Sequence, residues 1–194
     1  MANNCFNYIS FSGENEILKR IEEKFNTIKN EGLNYENYHK LFESDMDMSD
    51  YDFSDDLPKW YHPDDVEFIN DNTLYINGDS AWSPVTELIS LISEKYKVSS
   101  NINYEEQGNN FAGEKSCDEN GICILDEEYT YWEGLFKKGQ FYDEFESNAE
   151  YMDDLDEFFE ENDLKDKVDM DKVMEIWNEY HSEEDEENEE DENA

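Results

Sequence analysis

The sequence predicts an α+β domain of the split βαβ type, βαββαβ, whose antiparallel sheet carries two helices on one face, with an added β-hairpin and an acidic C-terminal helical extension. Three observations lead there. Segments of alternating polarity and segments of helical periodicity follow one another as strand, helix, strand, strand, helix, strand up to Tyr104. Turn signals at Asp71-Asn72 and Asn120-Gly121 each lie between two alternating segments. Beyond Tyr131 only helical periodicity remains.

From Cys5 to Ser12 the chain alternates, with Cys5, Asn7, Ile9 and Phe11 on one face, the period of a half-buried strand. Gly13 ends it, and Ile17, Leu18, Ile21, Phe25 and Ile28 recur at helical spacing over Glu14 to Lys29. Residues 30–65 lose the pattern and read as a partly helical insertion, with a short helix around Tyr35 to Glu43, because long structureless loops are uncommon in compact domains. Val66 to Asn70 and Leu74 to Ala81 form a hairpin about Asp71-Asn72. Trp82 closes its second strand, and Ser83-Pro84 supplies an N-cap and a first-turn proline for a helix buried through Val85, Leu88, Ile89, Ile92 and Tyr96. Val98 to Tyr104 alternates again. Asn110 to Cys117 and Ile122 to Tyr129 form the extra hairpin.

The stretch from Thr73 to Gly113 is the framework of this domain, with Trp82, Ser83, Pro84, Tyr104 and Gly108 as its structural residues. Organisation follows as a domain over 1–130, a helical extension over 131–181 and a disordered acidic tail over 182–194. The extension carries two apolar stripes, Tyr151-Met152-Leu155-Phe158-Phe159 and Met170-Val173-Met174-Trp177-Tyr180, separated at Asn162-Asp163. Each stripe needs a partner surface, either the domain or another protein.

The formal net charge is -40, from 54 acidic and 14 basic residues. Residues from Tyr131 onward hold 26 of the acidic and 5 of the basic ones, which makes this third about twice as charge-dense as the rest. Such a field repels nucleic acid and anionic membranes and attracts basic proteins, so the expected partner is a protein with a basic surface, with no direct nucleic-acid binding. Three cysteines without a framework spacing suggest reduced thiols. No apolar run nears the roughly 20 residues of a membrane span. A soluble, cytoplasmic protein is the simplest expectation.

The opening Met1-Ala2-Asn3-Asn4-Cys5-Phe6-Asn7-Tyr8-Ile9-Ser10-Phe11-Ser12-Gly13 resembles the start of the YubB-like proteins of phages and plasmids. So does Ala81-Trp82-Ser83-Pro84 with its helix, followed by Tyr104-Glu105-Glu106-Gln107-Gly108 and Gly113. The likeness covers about two-thirds of Met1 to Tyr129. Asn4 stands where that pattern usually has Trp. The resemblance implies a ferredoxin-like domain and a mobile-element source, and it brings no catalytic residues.

Residue chemistry is quiet. Asp45, Asp47, Asp50, Asp52, Asp55 and Asp56 crowd one stretch, but an EF-hand counted from Asp45 would need Gly at position 50 and Glu at position 56, where this chain has Asp. His39, His62 and His181 are isolated, and Cys117 and Cys123 flank a turn, so no zinc site is expected. Glu105 and Glu106 are adjacent on a strand and point to opposite faces, which argues against an acid/base pair. Ser83 has no adjacent His. No phosphate loop or dinucleotide fingerprint is present. No cofactor, metal or catalytic residue is expected.

The charge remains. Helical carboxylates at i, i+3 and i+4 stand roughly 5–6 Å apart, so Asp153, Asp154, Glu157, Glu160 and Glu161 offer an acidic lattice comparable with a phosphate backbone. The expected function is that of a non-enzymatic phage or mobile-element accessory protein that binds a basic surface of a host nucleic-acid-handling protein. DNA mimicry and inhibition of host defence are its more specific forms. The alternative is a structural or assembly protein that pairs with a virion or self partner through Met170, Val173, Met174 and Trp177, oligomeric state being open. A metal-dependent enzyme using Glu105 or Glu106 ranks last.

Overall fold

The computed structural model describes residues 4–31, 42, 60–152 and 154–181. Between Tyr129 and Thr130 the chain divides into two compact units. In the first, the described elements are β1 (Asn4–Ser12), α1 (Asn15–Glu31), β2 (Tyr61–Asn70), β3 (Thr73–Ala81), α2 (Thr86–Tyr96), β4 (Ser99–Glu106), β5 (Phe111–Cys117) and β6 (Cys123–Tyr129). They build a six-stranded sheet in the order β2-β3-β1-β4-β5-β6. All its pairings are antiparallel. Its first four strands have the ferredoxin-like arrangement, and the β5–β6 hairpin extends it beyond β4.

Alternation in the sequence becomes two-sidedness in the sheet. Cys5, Ile9 and Phe11 of β1, Leu74 and Ile76 of β3 and Ile102 and Tyr104 of β4 are buried. They form one core with Leu18, Ile21, Phe25 and Ile28 of α1 and Leu88, Ile89 and Ile92 of α2. Both helices therefore cover the same face. Phe25 sits at the centre of an aromatic group, its ring 6.1 Å from Tyr61 at 88° and 5.8 Å from Phe42 at 63°.

Asn7 is the polar exception on the buried face of β1. It is fully buried, and its amide Nδ2 donates to the Cys5 carbonyl and to Ser80 Oγ, both at 2.8 Å. Its Oδ1 accepts the Val85 backbone N–H at 3.1 Å. One side chain thus joins the central strand to β3 and to the residue that starts α2.

That bond corrects the expected helix start. Val85, not Ser83, occupies the cap position, and α2 begins at Thr86 without a side-chain cap of its own. Ser83 and Pro84 lie before the helix, in the turn out of β3, where the Ser83 N–H donates to the Ala81 carbonyl and its own carbonyl accepts from Ser80 Oγ. The Val85 N–H, which in a capping box would be taken by a side chain three residues into the helix, is taken here by Asn7 from a neighbouring strand. Trp82 is likewise no core residue. It is 51% exposed and takes a left-handed φ of 70°, because the chain reverses there.

Strand β2 begins at Tyr61, inside the segment 30–65 expected to be an insertion. Pro63 and a register shift between Pro63 and Asp65 break the period that would have marked it. Most of that segment, including the expected helix around Tyr35 and the acidic run Asp45 to Asp56, lies outside the described residues. Tyr104 is buried, with its hydroxyl end over Gly113, where a Cβ would collide with it. Gly108 lies in the β4–β5 turn, and the left-handed residue there is Asn110 at φ 53°. Glu106, 2% exposed, closes this turn by accepting the Gly108 and Asn109 N–H groups at 2.9 and 2.6 Å.

The second unit contains α3 (Tyr131–Lys138), α4 (Phe141–Asn148), a 3-10 turn (Ala149–Tyr151), α5 (Leu155–Glu161) and α6 (Met170–His181). Thr130 caps α3 by accepting the Glu133 N–H, and Gly139 ends it at φ 74°. Leu135, Phe141, Phe145, Phe159, Leu164 and Val173 are buried together. Phe141 stacks on Phe145 at 5.6 Å, and Trp132 meets Phe158 edge-on at 5.0 Å. Most of the two apolar stripes of the sequence thus go into a core of this unit's own, a third outcome beside the two expected, while Tyr151, Met174 and Tyr180 stay exposed.

Replacing Asn7 with leucine preserves bulk and removes both donors and the acceptor. Because a buried group left unpaired costs about 1–3 kcal/mol, the Asn7→Leu variant is expected to lose about 3 kcal/mol of stability, read as a lower denaturation midpoint in urea. An unchanged midpoint would contradict this role.

Candidate functional site

Cross-strand register arranges the open face of the first unit into rows, since residues directly opposite in antiparallel strands share a face. One row runs His62, Asp79, Phe6, Glu105, Ala112, Tyr129. The next runs Asp65, Asn77, Tyr8, Asn103, Glu114, Glu127. A third begins Glu67, Tyr75, Ser10, Asn101. Aromatic rings on β1 and β3 are therefore bracketed by carboxylates and amides. Phe6 stands between Asp79 and Glu105 and is 44% exposed.

Within this face a cavity of about 280 Å³ opens beside Phe6 and Tyr8, walled by Asp64, Asp65, Asn77 and Asp79. The β2 bulge forms one wall by placing Asp64 and Asp65 against β3. Gly78 allows that approach, because a Cβ there would run into the His62 carbonyl and Pro63. Lys29 Nζ donates to the Asp64 carbonyl and ties the bulge to α1. Asn77 holds Asp65 through its amide, 3.3 Å from Oδ2 and 3.0 Å from the Asp65 N–H. Asn4 donates to Asp79 Oδ2 at 3.2 Å.

Burial raises the Asp79 pKa, and the Asp64 charge adds to the shift, against a smaller opposing effect of Asn4 and His62. The Tyr8 hydroxyl donates to Glu105 Oε1 at 3.2 Å. Its pKa is pushed up to about 12, first by burial and then by the Glu105 charge and that hydrogen bond. Among the described residues, no group of three or more His, Cys, Asp or Glu is placed to hold a metal ion. The arrangement is suited to an organic cation. A larger depression, about 450 Å³, follows α1 past Glu14, Glu16, Lys19 and Arg20, where both signs of charge meet on one helix.

The residues singled out in the sequence lie elsewhere. Asp153 is outside the described residues. Asp154 caps α5 by accepting the Glu157 N–H at 3.0 Å, so its carboxylate has a structural use. Glu157, Glu160 and Glu161 are exposed on α5, with Phe159 turned into the core. Trp177 packs against the second core and stacks on His181 at 3.8 Å and 10°. Cys5 is buried and its pKa is raised by burial to about 12, which leaves no thiolate for nucleophilic use. Glu105 and Glu106 point to opposite faces of β4. Phe6, Tyr8, Tyr75 and Asp79 are unremarkable in the sequence until strand register aligns them. The one usable signal was the aromatic content of the polar side of β1.

No helix among the described residues is long and apolar enough to cross a membrane. A family model described as the ferredoxin-like domain in Api92-like protein matches residues 34–168. The matched span takes in β2 through α5 and leaves β1 and α1 outside. No curated protein and no solved structure matches the chain.

Tyr8 gives this face a pH signature. Its hydroxyl ionises near 10.0 in the unfolded chain and near about 12 in the folded one. Between those values the unfolded chain has released a proton that the folded protein keeps, so stability falls as pH rises through the window. The Tyr8→Phe variant is expected to lose less stability than the parent between pH 10.0 and about 12, measured by urea denaturation at both ends. Equal losses would refute the assignment.

Proposed function

The chain belongs to the family described as the ferredoxin-like domain in Api92-like protein, and from that footing we propose that it is a non-enzymatic accessory protein that binds a basic surface of a nucleic-acid-handling protein. What carries the reading is the open sheet face, where Asp64, Asp65 and Asp79 gather beside Phe6 and Tyr8 and none of the three carboxylates is paired with a lysine or arginine among the described residues. Uncompensated charge beside exposed aromatic surface is favourable against a cationic partner. The net charge of -40 extends the same preference over the whole molecule.

The narrower resemblance to YubB-like proteins makes a phage or plasmid the proposed source, with a host protein as the partner. Exposed Glu157, Glu160 and Glu161 give DNA mimicry its support, since a partner that grips phosphates meets carboxylates at related spacing. An inhibitor of host defence is one form that this takes. Assembly through α6 has less to use, because Val173 is buried and Met170 and Trp177 pack against the unit's core, which leaves Met174, 41% exposed, as the exposed member of its set.

The test is capture from host lysate by the full chain. A partner retained at about 0.15 M salt and released near about 0.5 M is expected, because exposed ion pairs weaken as the screening length shrinks. Duplex DNA added to the captured complex is expected to displace the chain. Failure to capture any salt-sensitive partner removes the reading, and capture without displacement by DNA removes mimicry.

A further inference from the structure

We propose that the cavity beside Phe6 on the open sheet face seats an arginine side chain from a basic protein segment laid across β2, β3 and β1. This inference rests on the reading that the partner is a basic protein and deepens it by naming the residue recognised and the place that recognises it.

Size is the first argument. The cavity holds about 280 Å³, whereas sites for drug-sized ligands hold about 300–1,000 Å³. A single long side chain suits it better than a nucleotide or a cofactor. Its wall chemistry is the second. Asp64, Asp65 and Asp79 supply negative charge from two strands, and Phe6 and Tyr8 supply aromatic side chains from a third. The three carboxylates do not converge as metal ligands do, since no metal-holding group exists among the described residues. They border a slot that a planar cation can enter.

Guanidinium meets that combination more fully than ammonium. It is planar, presents donors in a fork that matches a carboxylate, and stacks on aromatic rings, whereas ammonium is a compact, strongly hydrated charge. Phe6, at 44% exposed, offers its ring next to Asp79 in register. The Asp79 and Asp65 carboxylates are held by neutral amides, Asn4 at 3.2 Å and Asn77 at 3.3 Å, which orient them without neutralising them. Lys29, on α1, binds the Asp64 carbonyl and not a carboxylate, so it shapes the slot without filling it. Burial and the neighbouring Asp64 charge disfavour ionised Asp79 in the free protein, and the charge of an arriving cation opposes both.

Charge complementarity continues along the rows. A segment crossing from β2 toward β4 meets His62, Asp79, Phe6 and Glu105 in one row, or Asp65, Asn77, Tyr8 and Asn103 in the next. A peptide carrying arginine with further basic residues finds acid on both sides of the ring it covers.

The experiment follows backbone amide signals of the isotope-labelled full chain by NMR during titration with capped tripeptides in which arginine, citrulline or lysine stands between two glycines. Arginine peptide is expected to move the signals of Phe6, Tyr8, Asn77, Gly78 and Asp79 saturably, and the neutral citrulline peptide to leave them in place. Because hydrogen bonds to charged groups are each worth roughly a factor of ten or more, the Asp65→Asn/Asp79→Asn variant is expected to bind the arginine peptide at least about tenfold more weakly. Phe6→Leu, which keeps bulk without an aromatic face, is expected to weaken it also. The Glu157→Gln/Glu160→Gln/Glu161→Gln variant is expected to bind as the parent does.

Equal shifts with citrulline, equal affinity for lysine, shifts centred on α5, or unchanged binding by the Asp65→Asn/Asp79→Asn variant each overturn the proposal. If the chain captures a salt-sensitive partner while the arginine peptide leaves the sheet face untouched, the seat is wrong and the broader reading stands. If the peptide seats as described and no partner is captured, the broader reading is wrong and the seat stands.

Discussion

The first unit depends on the register of its central strand, and that register is held by a buried amide. Asn7 spends its donors on Cys5 and Ser80 and its acceptor on Val85, so β1, β3 and the start of α2 are fixed by one side chain. A slip of β1 by one residue would carry Asn7 to the open face and turn Phe6 and Tyr8 inward, because side chains alternate along a strand. The slipped state leaves the Val85 N–H without an acceptor and puts an aromatic ring where an amide fits. A polar group on the core face therefore discriminates between registers more sharply than another apolar residue at that position would.

Everything on the open face follows from that choice. Phe6 is opposite Asp79 and Glu105 only in the native pairing, and Tyr8 is opposite Asn77 and Asn103 in the same pairing. The β2 bulge then adds two consecutive aspartates at the edge of the row, and Gly78 lets the bulge close on β3. Packing on one side of the sheet and recognition on the other are thus two faces of one constraint. The added hairpin extends the same logic: Lys115 joins Glu87 of α2 at 3.0 Å, and the Gly121 turn lies against Ser90 and Glu94. That hairpin widens the sheet while α2 stays in place on its covered side.

What the sequence made legible was whatever a local period or a turn residue can signal. The alternation over Cys5 to Ser12, the helical stripe ending at Ile28, and the turns at Asp71-Asn72 and Asn120-Gly121 all appear where periodicity and turn chemistry put them. The start of β2 was not legible because Pro63 and an extra residue interrupt its period. Ser83-Pro84 has the local pattern of a cap, but the cap residue is Val85, two residues on, and the acceptor of its N–H, Asn7, stands 78 residues away in the chain. Trp82 read as the framework residue that closes β3, and it follows that strand directly, at a left-handed φ of 70° that leaves it half exposed. The candidate site was least legible of all, since a row across strands exists only after register does. The family resemblance implied a ferredoxin-like domain and a mobile-element source, and the family model matches the chain on the first of these.

Acidity has different uses in the two units. In the second, carboxylates cap helices or pair with lysines: Asp154 closes α5, Asp169 accepts from Asp171 and Lys172 at the start of α6, Asp156 meets Lys165 at 3.0 Å and Glu133 meets Lys167 at 3.1 Å. Exposed pairs of this kind contribute little to stability. What holds that unit is its aromatic core, where Phe141, Phe145, Phe158 and Phe159 meet at 5.1 to 6.4 Å. Solvated carboxylates act over roughly a Debye length, about 8 Å at physiological salt, and distinguish one basic surface from another poorly. The sheet carboxylates sit beside aromatic rings, where exclusion of water on binding strengthens each charge contact. Under the proposed function, the helical carboxylates and the acidic residues beyond them set how fast a basic partner arrives. The row through Asp79, Phe6 and Glu105 then decides which partner stays.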